Sequence, residues 1–303
     1  MDARRAEPGE GSVREWMRAE DGRQLRVEWA GDPNGRPVFL LHGMPGCRMG
    51  PRPRDMVLYQ RRTRLISYDR PGYGGSDRQP GRRVSDGIRD VVAVADRLGV
   101  DRFAVVGRSA GAPHALACAA LLPERVTRVA ALVSLAPVDA EGLDWYEGMA
   151  ESNIDDFRTA VRDPEGLARR LIPRSEAIRT DPAHLIEALR DELTDDDLRI
   201  LSDTGLRSML LRTYVEAVRR SPYGWIDDAL ALCSPWGFDP AEVRTPVLLW
   251  HGRRDPFSPA SHAAWLAARM PRAHSVLEPA AAHFAAFRAL PRALRWVVDG
   301  APA

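Results

Sequence analysis

Lysine is absent from this chain of 303 residues, and all 43 basic side chains are arginine. No single function demands that, so it reads as the coding bias of a GC-rich genome. Cysteine is scarce as well. Cys47, Cys118 and Cys233 are too few and too scattered for a disulfide framework or a zinc site, and they read as free thiols of a reducing cytoplasm. No apolar run approaches the roughly 18 residues of a membrane span. The opening stretch MDARRAEPGEGSV also lacks the apolar core of a signal peptide. An excess of one charge is missing too: a formal net charge of +1 argues against a nucleic-acid or anionic-membrane binder. There is no internal repeat and no low-complexity tract. These absences leave an ordinary globular protein, 45% hydrophobic and 28% charged. It is long enough for one large α/β domain or a core with an inserted lobe.

What charge there is lies unevenly. Glu141–Pro240 carries 21 acidic residues against 12 arginines, whereas the remainder carries 21 against 31. Such a shift marks an inserted segment with its own surface. An acidic lobe docked on a basic core would produce it, and so would a solvated helical surface.

The first third has the pattern of strands. Val13–Ala19 and Gln24–Trp29 flank the hairpin signal Glu20-Asp21-Gly22. Pro37–Leu41 and Arg64–Asp69 are short apolar runs bounded by turns, as strands buried on both faces look. Strands and helices then alternate: a helix over Ser85–Leu98, a strand over Phe103–Val106, a helix over Ala110–Leu122 and a strand over Val129–Leu135. After the acidic segment come a strand at Val247–Trp250, a helix at Pro259–Met270, a short strand at Ser275–Leu277 and a closing helix at Phe284–Val298. Alternation on this spacing predicts a parallel sheet wound by crossover helices. The segment from about Ala140 to Val243 shows no strand pattern. Asp181-Pro182 and Thr194-Asp195-Asp196-Asp197 are helix-start signals. Leu206, Met209, Leu210, Thr213 and Ala217 share one helical face.

The fragment Gly107-Arg108-Ser109-Ala110-Gly111 falls at the join of a predicted strand and helix. A side chain on so tight a turn holds strained φ/ψ, and its neighbours two residues away must be tiny. The helix N-terminus beneath offers N–H groups to a developing oxyanion. A serine hydroxyl needs a histidine base, and that base an orienting carboxylate. Of seven histidines, His283 lies on the loop between the last strand and last helix. Active groups of wound sheets gather at such carboxyl ends. His114 is turned away from Ser109, while His184, His262 and His274 read as solvated or structural. Asp255 follows an apolar strand, giving the order Ser109, Asp255, His283, known for one class of triad. Asp139 is the alternative acid.

With these residues in place, the chain resembles the α/β-hydrolase fold superfamily, in its serine type with a helical cap. The resemblance rests on LLHGMPG (Leu40–Gly46), SYDRPGYGGSD (Ser67–Asp77), GRSAG (Gly107–Gly111), HGRRDPFSP (His251–Pro259) and AAAHF (Ala280–Phe284), in the family's order. It implies a mostly parallel eight-stranded sheet, with core residues 1–139 and 244–303 around a cap of 140–243. It implies Ser109 as nucleophile, His283 as base, Asp255 as its partner, and the N–H groups of Met44 and Ala110 as the oxyanion hole. His42 and the Asp69–Ser76 loop would buttress the site. Two features depart from the pattern. The histidine loop reads Pro279-Ala280-Ala281-Ala282 where small glycine turns are usual. Met44 and Ala110 stand where the related proline iminopeptidases carry glycine and tryptophan.

The expected activity is hydrolysis of a small or medium carboxylic ester or lactone through an acyl-enzyme, without metal or cofactor. A small-molecule substrate is the only partner expected. Trp145, Tyr146, Met149, Trp225 and Trp236 are pocket candidates, each of which also reads as packing of the cap. Aminopeptidase, thioesterase, acyltransferase or perhydrolase chemistry would use the same three residues, and an aminopeptidase would add acidic cap residues for an ammonium group. A non-catalytic ligand-binding member of the fold need not keep all three.

Overall fold

The computed structural model describes residues 12–300, so most of the polar N-terminal stretch weighed above lies outside the described residues. Eight strands form one sheet: β1 (Ser12–Arg18), β2 (Gln24–Gly31), β3 (Arg36–Leu41), β4 (Thr63–Tyr68), β5 (Phe103–Arg108), β6 (Val126–Leu132), β7 (Val247–Gly252) and β8 (Ala273–Glu278). Their spatial order is β1-β2-β4-β3-β5-β6-β7-β8. The β1–β2 hairpin turns at Gly22, where φ is +89°. β2 also runs antiparallel to β4, and every later pairing is parallel. This is the mostly parallel, helix-wound sheet that the alternating pattern predicts.

Both faces of the sheet are covered, which explains the continuous apolar runs in the strands. Side chains alternate across β3: Val38 and Leu40 join one buried cluster, Phe39 and Leu41 the other. The helix Gly111–Leu121 packs on the Phe39 side through Ala112, Ala115 and Leu116. The helix Ala286–Asp299 packs on the Val38 side through Ala289, Leu290 and Leu294.

Most predicted elements recur with shifted ends. β6 begins three residues earlier than its apolar pattern suggests and stops at Leu132, because Val133 takes a positive φ of 48°. A six-residue helix, Asp55–Gln60, carries no pattern strong enough to predict. From β6 to β7 the described residues form helices only, the longest being Glu151–Arg162, Pro164–Thr180, Thr204–Ala217 and Tyr223–Leu232. Thr194 and Asp197 form the reciprocal capping box that starts the helix Asp195–Leu201. No helix among the described residues is long and apolar enough to cross a membrane.

Candidate active site

β3 and β5 lie side by side, with Leu41 opposite Gly107. From β3 the chain goes on to β4 on one side, and from β5 to β6 on the other. Their carboxyl ends therefore flank the switch point where open α/β sheets hold ligands. Ser109 follows β5 with φ +52°, in the left-handed region that non-glycine residues avoid. Its N–H donates to Leu132 O at 2.9 Å, tying the turn to β6. The flanking glycines are required by contact. A Cβ on Gly107 would lie 2.3 Å from Gly111 O, and one on Gly111 would lie 2.3 Å from Leu41 O.

Asp255 follows β7 in a tight turn. Its Oδ1 accepts the N–H groups of Phe257 (2.8 Å) and Ser258 (2.9 Å), and His283 Nδ1 lies 2.8 Å from its Oδ2. The carboxylate is buried and fixed before any ligand arrives. Its hold on Nδ1 selects the tautomer with a free Nε2. Gly252 closes β7 where the histidine loop passes: a Cβ there would lie 2.5 Å from Ala281 O. The loop is also held from the helical segment, since Asp197 Oδ1 accepts Phe284 N–H at 2.8 Å. Ser109 and His283 line one cavity. Neither Ser109 Oγ nor His283 Nε2 has a hydrogen-bond partner among the described residues. Such contacts commonly tighten only when substrate binds. Asp139, the alternative acid, is exposed.

Met44 and Ala110 line the same cavity, and their N–H groups donate to nothing among the described residues. The turn that carries Met44 is supported from behind. Arg70 N–H donates to His42 Nε2 at 3.1 Å, and the Arg70 guanidinium donates to His42 O and Gly43 O. Arg70 in turn pairs with Asp228 at 2.5 Å, and Arg82 reaches the same carboxylate at 2.7 Å. Burial alone would raise Asp228, but these two guanidiniums hold it well below the usual carboxylate range.

Of the five pocket candidates, Trp225 lines the cavity. Trp145, Tyr146, Met149 and Trp236 do not. Trp145 donates to Ala136 O and stacks edge-on with Phe157 and His262. Tyr146 lies under Arg158, Met149 is buried, and Trp236 packs on Phe238. The apolar walls come instead from Phe157, Leu171, Tyr214, Phe257 and Phe284. Arg108 lines it too, although its signal stood within GRSAG itself. Among the described residues lining the cavity, the acidic one is Asp156, bound by Arg170 (3.1 Å) and Arg174 (2.6 Å). Among the described residues, no three His, Cys, Asp or Glu side chains cluster as a metal site would.

The family model for the alpha/beta hydrolase fold matches residues 36–289. A pimeloyl-[acyl-carrier protein] methyl ester esterase of Nitrosomonas europaea is 30% identical over 259 residues, covering 86% of this chain and 92% of that protein. A proline iminopeptidase of Arabidopsis thaliana is 29% identical over 191 residues, covering 61% of this chain and 46% of that one. Among solved structures, an esterase from Exiguobacterium antarcticum superposes with a TM-score of 0.70 at 21% identity, covering 95% of this chain and all of that one. The chain belongs to the alpha/beta hydrolase fold family and is one of its enzymes.

Proposed function

We propose that the protein is a serine hydrolase of small or medium carboxylic esters or lactones. The observation that carries this is one cavity shared by a strained serine, an aspartate-held histidine and two unused N–H donors. In this reading Ser109 Oγ attacks the acyl carbon while His283 Nε2 takes its proton, and Asp255 stabilises the imidazolium. The carbonyl oxygen moves between the N–H groups of Met44 and Ala110, where each donor contributes about 2.7–4 kcal/mol to the transition state. His283 returns the proton to the leaving alkoxide. It then deprotonates a water, whose attack on the acyl-enzyme frees the acid and Ser109. The helical segment 140–243 serves as the cap, roofing the cavity with Phe157, Leu171 and Trp225. Three free cysteines fit a cytoplasmic setting.

Ester hydrolysis is favoured over aminopeptidase action by the state of Asp156. An ammonium group needs an unpaired carboxylate, and this one is already bound by two arginines. The test is a panel of p-nitrophenyl esters and aminoacyl anilides, with fluorophosphonate labelling, on wild type and Ser109→Ala. Ester turnover and labelling are expected in the wild type and lost in the variant. An unlabelled, inactive wild type would refute the proposal.

A further inference from the structure

The cavity holds a cation that this chemistry leaves unused. Arg108 closes β5, directly before Ser109. Its guanidinium stacks 4.2 Å from the centre of the Phe287 ring. A Cβ built on Gly43 would lie 2.8 Å from Arg108 Nη2 and 3.4 Å from Ser109 Cβ, so the cation sits within a few ångströms of the serine. Arg108 lines both the main cavity and a smaller one beside it, and the two share Pro45 and Tyr214.

The Arg108 guanidinium makes no hydrogen bond or ion pair among the described residues. Other arginines around the site all have partners: Arg70 has Asp228, Arg174 has Asp156 and Arg48 has Asp69. Asp255 does not serve, because His283 and the N–H groups of Phe257 and Ser258 occupy its oxygens. Burial pulls the pKa of Arg108 down to about 10, against the opposing influence of Tyr214 and Asp255, and it stays a cation at neutral pH. Stacking on Phe287 uses the face of the guanidinium and leaves its five in-plane N–H donors unspent. Once a ligand expels water, those donors need an acceptor or binding is penalised.

We propose that Arg108 anchors a carboxylate of the substrate, so that the preferred ester carries a second, ionised carboxyl group. The proposal rests on the serine-hydrolase reading for the fate of that ester, but not for its binding. A planar carboxylate matches the guanidinium fork with two parallel hydrogen bonds. Its single charge also suits the cavity better than a phosphate dianion. Among the described lining residues Asp156 and Arg174 pair with each other, which leaves Arg108 as the cation without a carboxylate.

The test compares mono-p-nitrophenyl glutarate with its neutral methyl ester on wild type, Arg108→Gln and Arg108→Lys, with melting curves to verify folding. Wild type should prefer the charged ester. The charged-to-neutral ratio of kcat/KM should fall about 10- to 100-fold in Arg108→Gln, chiefly through KM, with Arg108→Lys between the two. A second arm titrates glutarate monomethyl ester into Ser109→Ala with and without Arg108→Gln by calorimetry, and binding should weaken in the double variant. Turnover with no preference for the charged ester overturns the anchor and leaves the hydrolase reading intact. An unlabelled, inactive wild type whose Ser109→Ala form still binds the monoester through Arg108 overturns the hydrolase reading and leaves the anchor standing. Equal binding with and without Arg108 overturns the anchor.

Discussion

At the scale of single residues, the site is built from conformations and contacts the chain would otherwise avoid. Ser109 occupies the left-handed region at φ +52°, at a cost of about 1–2 kcal/mol for a residue with a Cβ. The bend that raises the strain also places Ser109 at the cavity, so the strain and the proposed nucleophile have one cause. Ser109→Gly should therefore be inactive yet more stable than Ser109→Ala by about 1 kcal/mol in denaturant titrations. A Gly variant no more stable than the Ala variant would mean that the surroundings relax the turn. GRSAG was legible because contact dictates it, with a carbonyl oxygen 2.3 Å from where each glycine's Cβ would stand. The places of Asp255 and His283 after β7 and β8 were legible, and there the two side chains meet. The cavity walls were not. Tryptophans draw attention in a sequence, but Trp145 and Trp236 serve packing. Leu171 and Tyr214 line the cavity because of how the helices lie, and no local pattern records that.

At the scale of elements, the helix Asp195–Leu201 does more than begin cleanly. Asp197 completes the capping box with Thr194, and its other oxygen accepts Phe284 N–H from the histidine loop. Asp196 reaches Ala282 N–H at 3.3 Å. The loop that lacks the expected glycines is thus held on both sides of His283 by the helical segment. Asp197→Ala removes a cap contact and leaves a buried N–H unpaired, for a combined loss of about 2–4 kcal/mol in unfolding free energy. Ester kcat should fall more than KM rises, because the proposed base His283 is displaced while the pocket walls remain. A variant that loses stability but keeps kcat would confine Asp197 to capping. The Thr194-to-Asp197 spacing revealed the helix start, but its second task needs two segments some ninety residues apart to meet. The late start predicted for β6 has a similar origin. Thr127 and Arg128 interrupt the apolar pattern at a register shift in the pairing with β5, and pairing on both sides begins at Val129.

At the scale of the whole molecule, the fold is held by polar groups as well as by its two apolar clusters. Asp228, on the helix Tyr223–Leu232, neutralises Arg70 and Arg82 of the core. This buried junction ties the helical segment to the turn carrying Met44. Four buried histidines add a dependence on pH. His42, His114, His251 and His262 are all pulled below the ordinary histidine value, chiefly by burial, and His262 falls to about 4. His262 is locked neutral: Ala136 N–H donates to its Nδ1 at 3.0 Å, and its Nε2 donates to Trp145 O at 3.0 Å. The unfolded chain takes up a proton near pH 6.5, whereas folded His262 resists until about pH 4. Its contribution is therefore complete above pH 6.5 and is lost as the pH falls from there toward 4. Buried Asp69, Asp90, Asp156 and Asp197 are raised and act in the opposite direction. Those carboxylates act between the ordinary carboxylate range and their raised values, so the share belonging to His262 is isolated by comparing variants. Between pH 7 and pH 5, His262 should take about 2 kcal/mol from the unfolding free energy. In His262→Gln, whose amide can still accept from Ala136 and donate to Trp145, the decline measured by urea titration at each pH should be shallower by that amount. Parallel pH profiles for the two proteins would assign the acid sensitivity to groups other than His262.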